Sequence, residues 1–284
     1  MLDASGIVHI DGDRFLVAED ELDHLRVFEL NRMASSFEFS GQVFNLGDAE
    51  SDFESLAYDR EQGVFYCTGS FGRAYSRRLV SFRIQQQSLQ DIQELEVDTQ
   101  TLVNDNVNIE SLSLWQSRLL LGYRSPGRGG KALALLTDSA SQHQQLLSFD
   151  LAGRTFRDMD CIDPHNYLIL AGPEKGKHYD QLAAQLWWWN GDVITPEISR
   201  LDLDLSGIRA EGLAIFGDGE RIEILIGTDE SKIKNATGFD IWYSKAESLQ
   251  SLLTQQLEKE RLSVRIDQSV ETGSDSAYSK TGKR

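Results

Sequence analysis

The chain has 284 residues, 40% of them hydrophobic, and a net charge of −17 at pH 7. That length suits one large domain, and that charge repels nucleic acid and anionic membrane, which demand clustered Lys and Arg. No run reaches the roughly 20 apolar residues of a membrane-spanning helix.

In chain order, short apolar runs parted by Gly, Asp, Asn or Ser predict strands in groups of four. The first group falls near residues 5–10, 14–18, 24–30 and 37–45, with Asp11-Gly12-Asp13 as a hairpin turn. The second falls near 54–59, 63–68, 78–84 and 92–97, and the third near 110–115, 118–122, 131–137 and 145–150. The fourth follows near 157–162, 166–171, 184–189 and 197–203, and the fifth near 211–216, 221–227, 238–244 and 261–266. Over 245–260, Leu249, Leu252, Leu253 and Leu257 stand at helical spacing, which predicts one surface helix inserted before the last strand. From Asp267 the composition turns polar, and residues 267–284 read as a disordered tail to a single domain over 1–266. The start, M-L-D-A-S-G, lacks the basic-then-apolar plan of an export signal. Cys67 and Cys161 each sit in an apolar run with no C-x-x-C partner. Both features predict a soluble, cytoplasmic protein.

The groups share a pattern. Each opens on an acid, Asp3, Glu54, Glu110, Asp158 or Glu211, spaced 51, 56, 48 and 53 residues apart. Each second run closes on a small residue: Ala18, Gly69, Gly122, Gly172 or Gly227. A strand-rich period near 50 predicts an all-β fold, a β-propeller of five four-stranded blades, six requiring a blade without either mark. Trp187, Trp188 and Trp189, in one strand, must then point alternately to opposite faces and pack between neighbouring blades.

In a propeller the first strand of each blade lines the central channel, so the five acids ring its mouth. Gathered carboxylates raise one another's pKa unless something positive lies among them. The filler is either a metal ion or basic side chains, unless each acid serves the fold alone by capping backbone N–H groups of the neighbouring blade. Oxygen ligands favour calcium or magnesium, held by Glu54, Glu110, Asp158 and Glu211, with amide oxygens from Asn104, Asn106 and Asn108 in reach. The loops after the second strands face the same mouth, and the windows 69–78, 123–132, 172–181 and 228–237 hold ten cations, Arg124 and Lys131 among them, against four acids. An acidic ring in a basic collar suits a small anionic ligand. In the first repeat Glu19-Asp20-Glu21 makes that sector acidic instead. The Gly-rich stretch 124–131 fails the phosphate-loop pattern, since Ser125 and Ala132 stand where Gly and Ser or Thr are required. No G-x-S-x-G, H-x-H or H-E-x-x-H occurs, which disfavours serine and zinc hydrolysis.

At F-E-S-L-A-Y-D with C-T-G-S, N-I-E-S-L-S with L-L-G-Y-R-S-P-G-R-G-G-K-A, F-R-D-M-D with L-I-L-A-G-P, and A-E-G-L-A-I with L-I-G-T-D, the chain resembles a bacterial propeller family of unknown function. D-A-S-G-I-V with F-L-V-A-E-D-E extends the likeness, which spans about residues 3–230. That family is allied through its E-G-L-A strands to the phytase-like and esterase-like propellers. The resemblance implies a propeller with calcium-dependent phosphatase or esterase chemistry at the channel mouth. It further implies that Glu54, Glu110, Asp158 and Glu211 hold the metal while Arg124, Lys131 and Arg157 grip the anion. Phe71 replaces the family's usual His after G-S, and E-G-L-A becomes E-S-L-A or E-S-L-S in the second and third repeats. Two functions follow as expectations: a propeller binding a small anionic ligand, with a metal-dependent ester hydrolase as its catalytic form, or a non-enzymatic platform for a protein partner.

Overall fold

Strand-length apolar runs joined by tight turns fold as antiparallel meanders, and that is the plan throughout. The structure, a computed structural model, describes residues 4–19, 24–47, 52–73, 76–99, 107–138, 143–174, 182–217, 221–228, 240–254 and 257–266. The first unit holds β1 (Ala4–Asp11), β2 (Arg14–Glu19), β3 (His24–Asn31) and β4 (Ser36–Asn45). The second holds β5 (Phe53–Asp59), β6 (Val64–Gly69), β7 (Leu79–Gln85) and β8 (Ser88–Glu94), and the third β9 (Asn108–Trp115), β10 (Arg118–Ser125), β11 (Ala132–Thr137) and β12 (Gln144–Phe149). The fourth holds β13 (Thr155–Asp163), β14 (Asn166–Gly172), β15 (Gln185–Trp189) and β16 (Ile198–Arg200). The last holds β17 (Ala210–Phe216), β18 (Ile222–Thr228), β19 (Ile241–Ala246), the helix α1 (Leu249–Thr254) and β20 (Glu260–Arg265). The middle three units are separate four-stranded sheets. The first and last join through a parallel pairing of β4 with β20, Ser36 opposite Ser263 and Glu38 opposite Arg265, into one eight-stranded sheet.

The units close on themselves. Their first strands touch in the cyclic order β1, β5, β9, β13, β17 and back to β1. A hydrophobic core fills each gap between neighbours: Leu16 with Phe65, Leu79 with Leu121, Phe149 with Trp189, Leu170 with Ile224, and Phe37 with Leu225. Each fully buried side chain of this size adds roughly 1.5–3 kcal/mol. This is a β-propeller-like architecture, buried along its first strands and exposed along its outer ones: β17 is buried throughout, whereas β8 is almost wholly exposed. The small residues that close the second strands are packing requirements. A Cβ on Gly122 would lie 2.5 Å from Phe156 of the next unit, and one on Gly227 would lie 2.8 Å from Ile7 of the first.

Two expectations shift. The fourth strand of the second unit begins at Ser88, because Gln86 and Gln87 both take positive φ, 49° and 63°, and turn the chain at once. The helix spans six residues: Ser248 caps it, its hydroxyl accepting from the Ser251 N–H at 3.1 Å, and Leu252 anchors it in the core. Trp187 and Trp189 face the core between the third and fourth units, and Trp188 faces the other side, its indole donating to Asn166 at 2.8 Å. The 267–284 tail lies outside the described residues. No helix among the described residues is long and apolar enough to cross a membrane.

Candidate functional site

At its mouth end each first strand breaks register with its second strand, and the first-strand residues skipped there are Ser5, Glu54, Glu110, Arg157 and Glu211. A bulge frees one residue from the ladder and re-aims its side chain, so one position in every unit is turned out in the same way. In the fourth unit the bulged residue is Arg157, and Asp158 is the next residue along; the sequence alignment of the repeat is one residue off there. In the first unit the bulged residue is Ser5, two past the expected Asp3, which itself lies outside the described residues.

This exchange puts a cation into the ring of acids. Arg157 is buried, and its Nη1 lies 3.1 Å from Glu110 Oε2 and 3.5 Å from Glu211 Oε2, so it joins the units on either side. Its Nη2 donates to the carbonyl of Pro173. The side chain lies across Gly172, where a Cβ would meet Arg157 Nε at 2.6 Å, which is why the fourth second strand ends on glycine. Glu110 is only 3% exposed; its Oε1 also accepts from Arg124 Nη1 at 2.9 Å and from Asn108 Nδ2 at 3.0 Å. Asn108 thus offers its amide hydrogens to the carboxylate. Glu54 is half-buried at its own bulge.

Asp158 does different work. Its Oδ2 accepts from the N–H of Leu213 at 2.7 Å, and its Oδ1 accepts from Ser55 Oγ at 2.7 Å and the Met159 N–H at 2.9 Å. Ser55, at the equivalent position of the second unit, accepts from the Leu112 N–H at 2.9 Å. Both side chains therefore cap the first strand of the following unit. Asp160 repeats this one step on, accepting from Ile215 N–H at 2.7 Å. Burial drives the Asp158 carboxyl well above its ordinary pKa despite these bonds.

As placed, these residues do not fit a divalent cation. Glu110 is already held by two guanidinium groups and an amide, Arg157 stands as a permanent positive charge between Glu110 and Glu211, and Asp158 is turned to backbone N–H groups. Among the described residues no three His, Cys, Asp or Glu side chains are grouped to hold a metal ion. Of the two fillers the sequence left open, basic side chains occupy the gap in this arrangement.

The expected collar is brought together only in part. Arg124 joins the network, while Lys131 is exposed at the end of a loop, its backbone paired with Arg128. That loop is tied to the fourth unit by the Gly127 N–H, which donates to Glu174 Oε1 at 2.9 Å. Arg78 is paired instead with Glu94 and donates to the Leu46 carbonyl. Lys175, Lys177, Lys232, Lys234, Asn104, Asn106, Asp20 and Glu21 lie outside the described residues. Glu19 is buried and paired with Arg26 at 3.5 Å. Phe71, at the resembled family's His position, is a core residue between the second and third units. Sequence reasoning missed Ser55 and Asp160; the only signal for them is their place in the first strand, beside or two after the repeated charge.

No family model matches the sequence, and no curated protein matches it. Among solved structures, the chain is similar to the hydrazine synthase of Kuenenia stuttgartiensis, with a TM-score of 0.43 and 10% identity over 92% of this chain and 66% of that one. It is also similar to the N-terminal domain of Nup159, with a TM-score of 0.39 and 10% identity over 92% of this chain and 61% of that one. The chain spans less than two thirds of either.

Proposed function

We propose that the chain is a five-bladed β-propeller acting as a non-enzymatic interaction platform, with its channel mouth locked by ion pairs. The observation that carries this reading is Glu110, whose two oxygens are held by Arg124, Arg157 and Asn108 from the third and fourth units. Such a buried network fixes neighbouring units against each other and leaves the disk rigid, so that function passes to its loops and edges. Five bulges in phase and five inter-unit cores favour the five-blade count. One feature favours a small ligand at the mouth as a second reading: Asn108 Oδ1 and Thr155 Oγ1, both buried at the starts of β9 and β13, meet no hydrogen-bond partner among the described residues. A metal-dependent hydrolase, with calcium or magnesium on Glu54, Glu110, Asp158 and Glu211, would require Arg157 to withdraw.

Thermal melting with chelator, calcium and magnesium tests the choice. On the platform reading the melting temperature is indifferent to all three and aryl phosphate and acetate esters are not turned over. Arg157→Met, which removes the guanidinium from between two buried carboxylates, costs about 3–5 kcal/mol, or roughly 10 °C in a chain of this size. A rise in melting temperature with calcium, together with calcium-dependent turnover, would overturn the reading.

A further inference from the structure

A sheet that ends in an open strand offers unpaired N–H and C=O groups to any other strand, and proteins usually defend such edges. Here β4 and β20 cover each other, which among the described residues leaves β8, β12 and β16 at the outer ends of their sheets. β8 is defended: it carries Asp91 and Glu94, Asp91 takes a φ of 53°, and its register with β7 slips between Ser81 and Arg83. β16 is three residues long. β12 has none of these devices. Its six residues, Gln144–Phe149, pair with β11 in unbroken register and include no charge, proline or glycine. Beside it runs a groove of about 140 Å³ lined by Leu146, Phe149, Trp189, Val193, Pro196 and Asp192, among others. Next to Val193, Ile194 is 86% exposed.

Resting on the platform reading, we propose that β12 is the docking edge and that it takes an extended strand of a partner protein, apolar at alternate positions and basic at its ends. Backbone pairing along β12 supplies affinity, and alternate side chains of the guest drop into the groove. Charge selects the guest. Asp192 is, among the described residues, the one charged side chain lining the groove, and the chain carries −17, so basic ends are attracted while a second copy of this chain is repelled.

The probe is a fluorescent peptide, acetyl-Lys-Lys-Val-Thr-Val-Thr-Val-Lys-Lys-amide, titrated with the full chain by anisotropy. The expected result is saturable binding that weakens when the lysines are replaced by glutamates and vanishes when the central valine is replaced by proline. Leu146→Asn with Val193→Asn should weaken it about tenfold, some 1.4 kcal/mol, while Ile92→Asn on β8 leaves it unchanged. Val193→Asn alone, at a half-buried site, provides a variant whose melting temperature stays near the parent's if the pair of changes unfolds the chain. Absence of saturable binding, binding indifferent to the β12 changes, or a dimer in sedimentation that those changes dissolve would each overturn the proposal. Failure here with melting still indifferent to calcium removes only the docking edge; calcium-dependent turnover removes the platform reading, whatever the peptide does.

Discussion

Charge placement decides what the residues at the channel can do. Arg157 neutralises Glu110 and Glu211, whereas Asp158 and Asp160 are paired mainly with N–H groups, which are weaker partners for a buried carboxylate. Burial pushes the Asp160 carboxyl up to about 6 against the pull of the Ile215 and Cys161 N–H groups. A carboxyl whose folded pKa is raised contributes stability that is fully present below its unfolded pKa, about 3.9, and lost as pH rises through the folded value. His9 works in the opposite sense: burial lowers its pKa, so its contribution is present above about 6.5 and lost as pH falls. Asp160→Asn deletes the first effect and keeps the second. Its melting temperature relative to the parent should therefore climb between pH 5 and pH 7, and a constant difference across that window would show that Asp160 does not titrate as its burial dictates.

Among the elements, the hairpin turns mark where the sequence speaks and where it is silent. Asp11-Gly12-Asp13 announces the turn between β1 and β2, and Gly12 takes a φ of 50° there. The turn between β7 and β8 uses Gln86-Gln87 in the same left-handed region, where a side chain costs roughly 1–2 kcal/mol per residue. Replacing the pair by Asn-Gly, the preferred dipeptide of such two-residue turns, should raise stability by about 1 kcal/mol, or some 2–4 °C; unchanged or lower melting would mean that the glutamines hold the turn by contacts of their own. The same contrast explains how much was legible. Strand grouping was readable, because apolar runs and small closing residues such as Gly122 and Gly227 are set by packing against the neighbouring unit. The identity of the ring was not, because Arg157 and Asp158 are adjacent and only the bulge reveals which of them takes the repeated position. The parallel pairing of β4 with β20 left no mark either: it joins segments from opposite ends of the chain through three residue pairs that carry no motif.

At the scale of the whole molecule, that pairing poses the question of what closes the ring. Every four-strand unit is contiguous in sequence, so no unit borrows a strand from the other end of the chain to bind first to last. Closure rests on the core between β1 and β17, on Arg32, which grips both oxygens of Glu223 at 2.7 and 2.8 Å, and on β20 lying between β19 and β4. β20 contributes Leu262, 3% exposed, to the core shared by the first and last units. A chain ended after Lys259 loses that side chain and the ladder bonds on both sides of β20, about 3 kcal/mol or more, and leaves β4 and β19 as bare edges prone to association. It should melt several degrees below the full chain and sediment as mixed oligomers. A chain ended after Ile266 keeps the whole seam, and the polar composition of 267–284 offers little apolar surface to bury, so it should melt with the full chain. Equal melting of all three would locate closure in the β1–β17 core and Arg32 alone, and a loss already present at 266 would make the tail part of the seam.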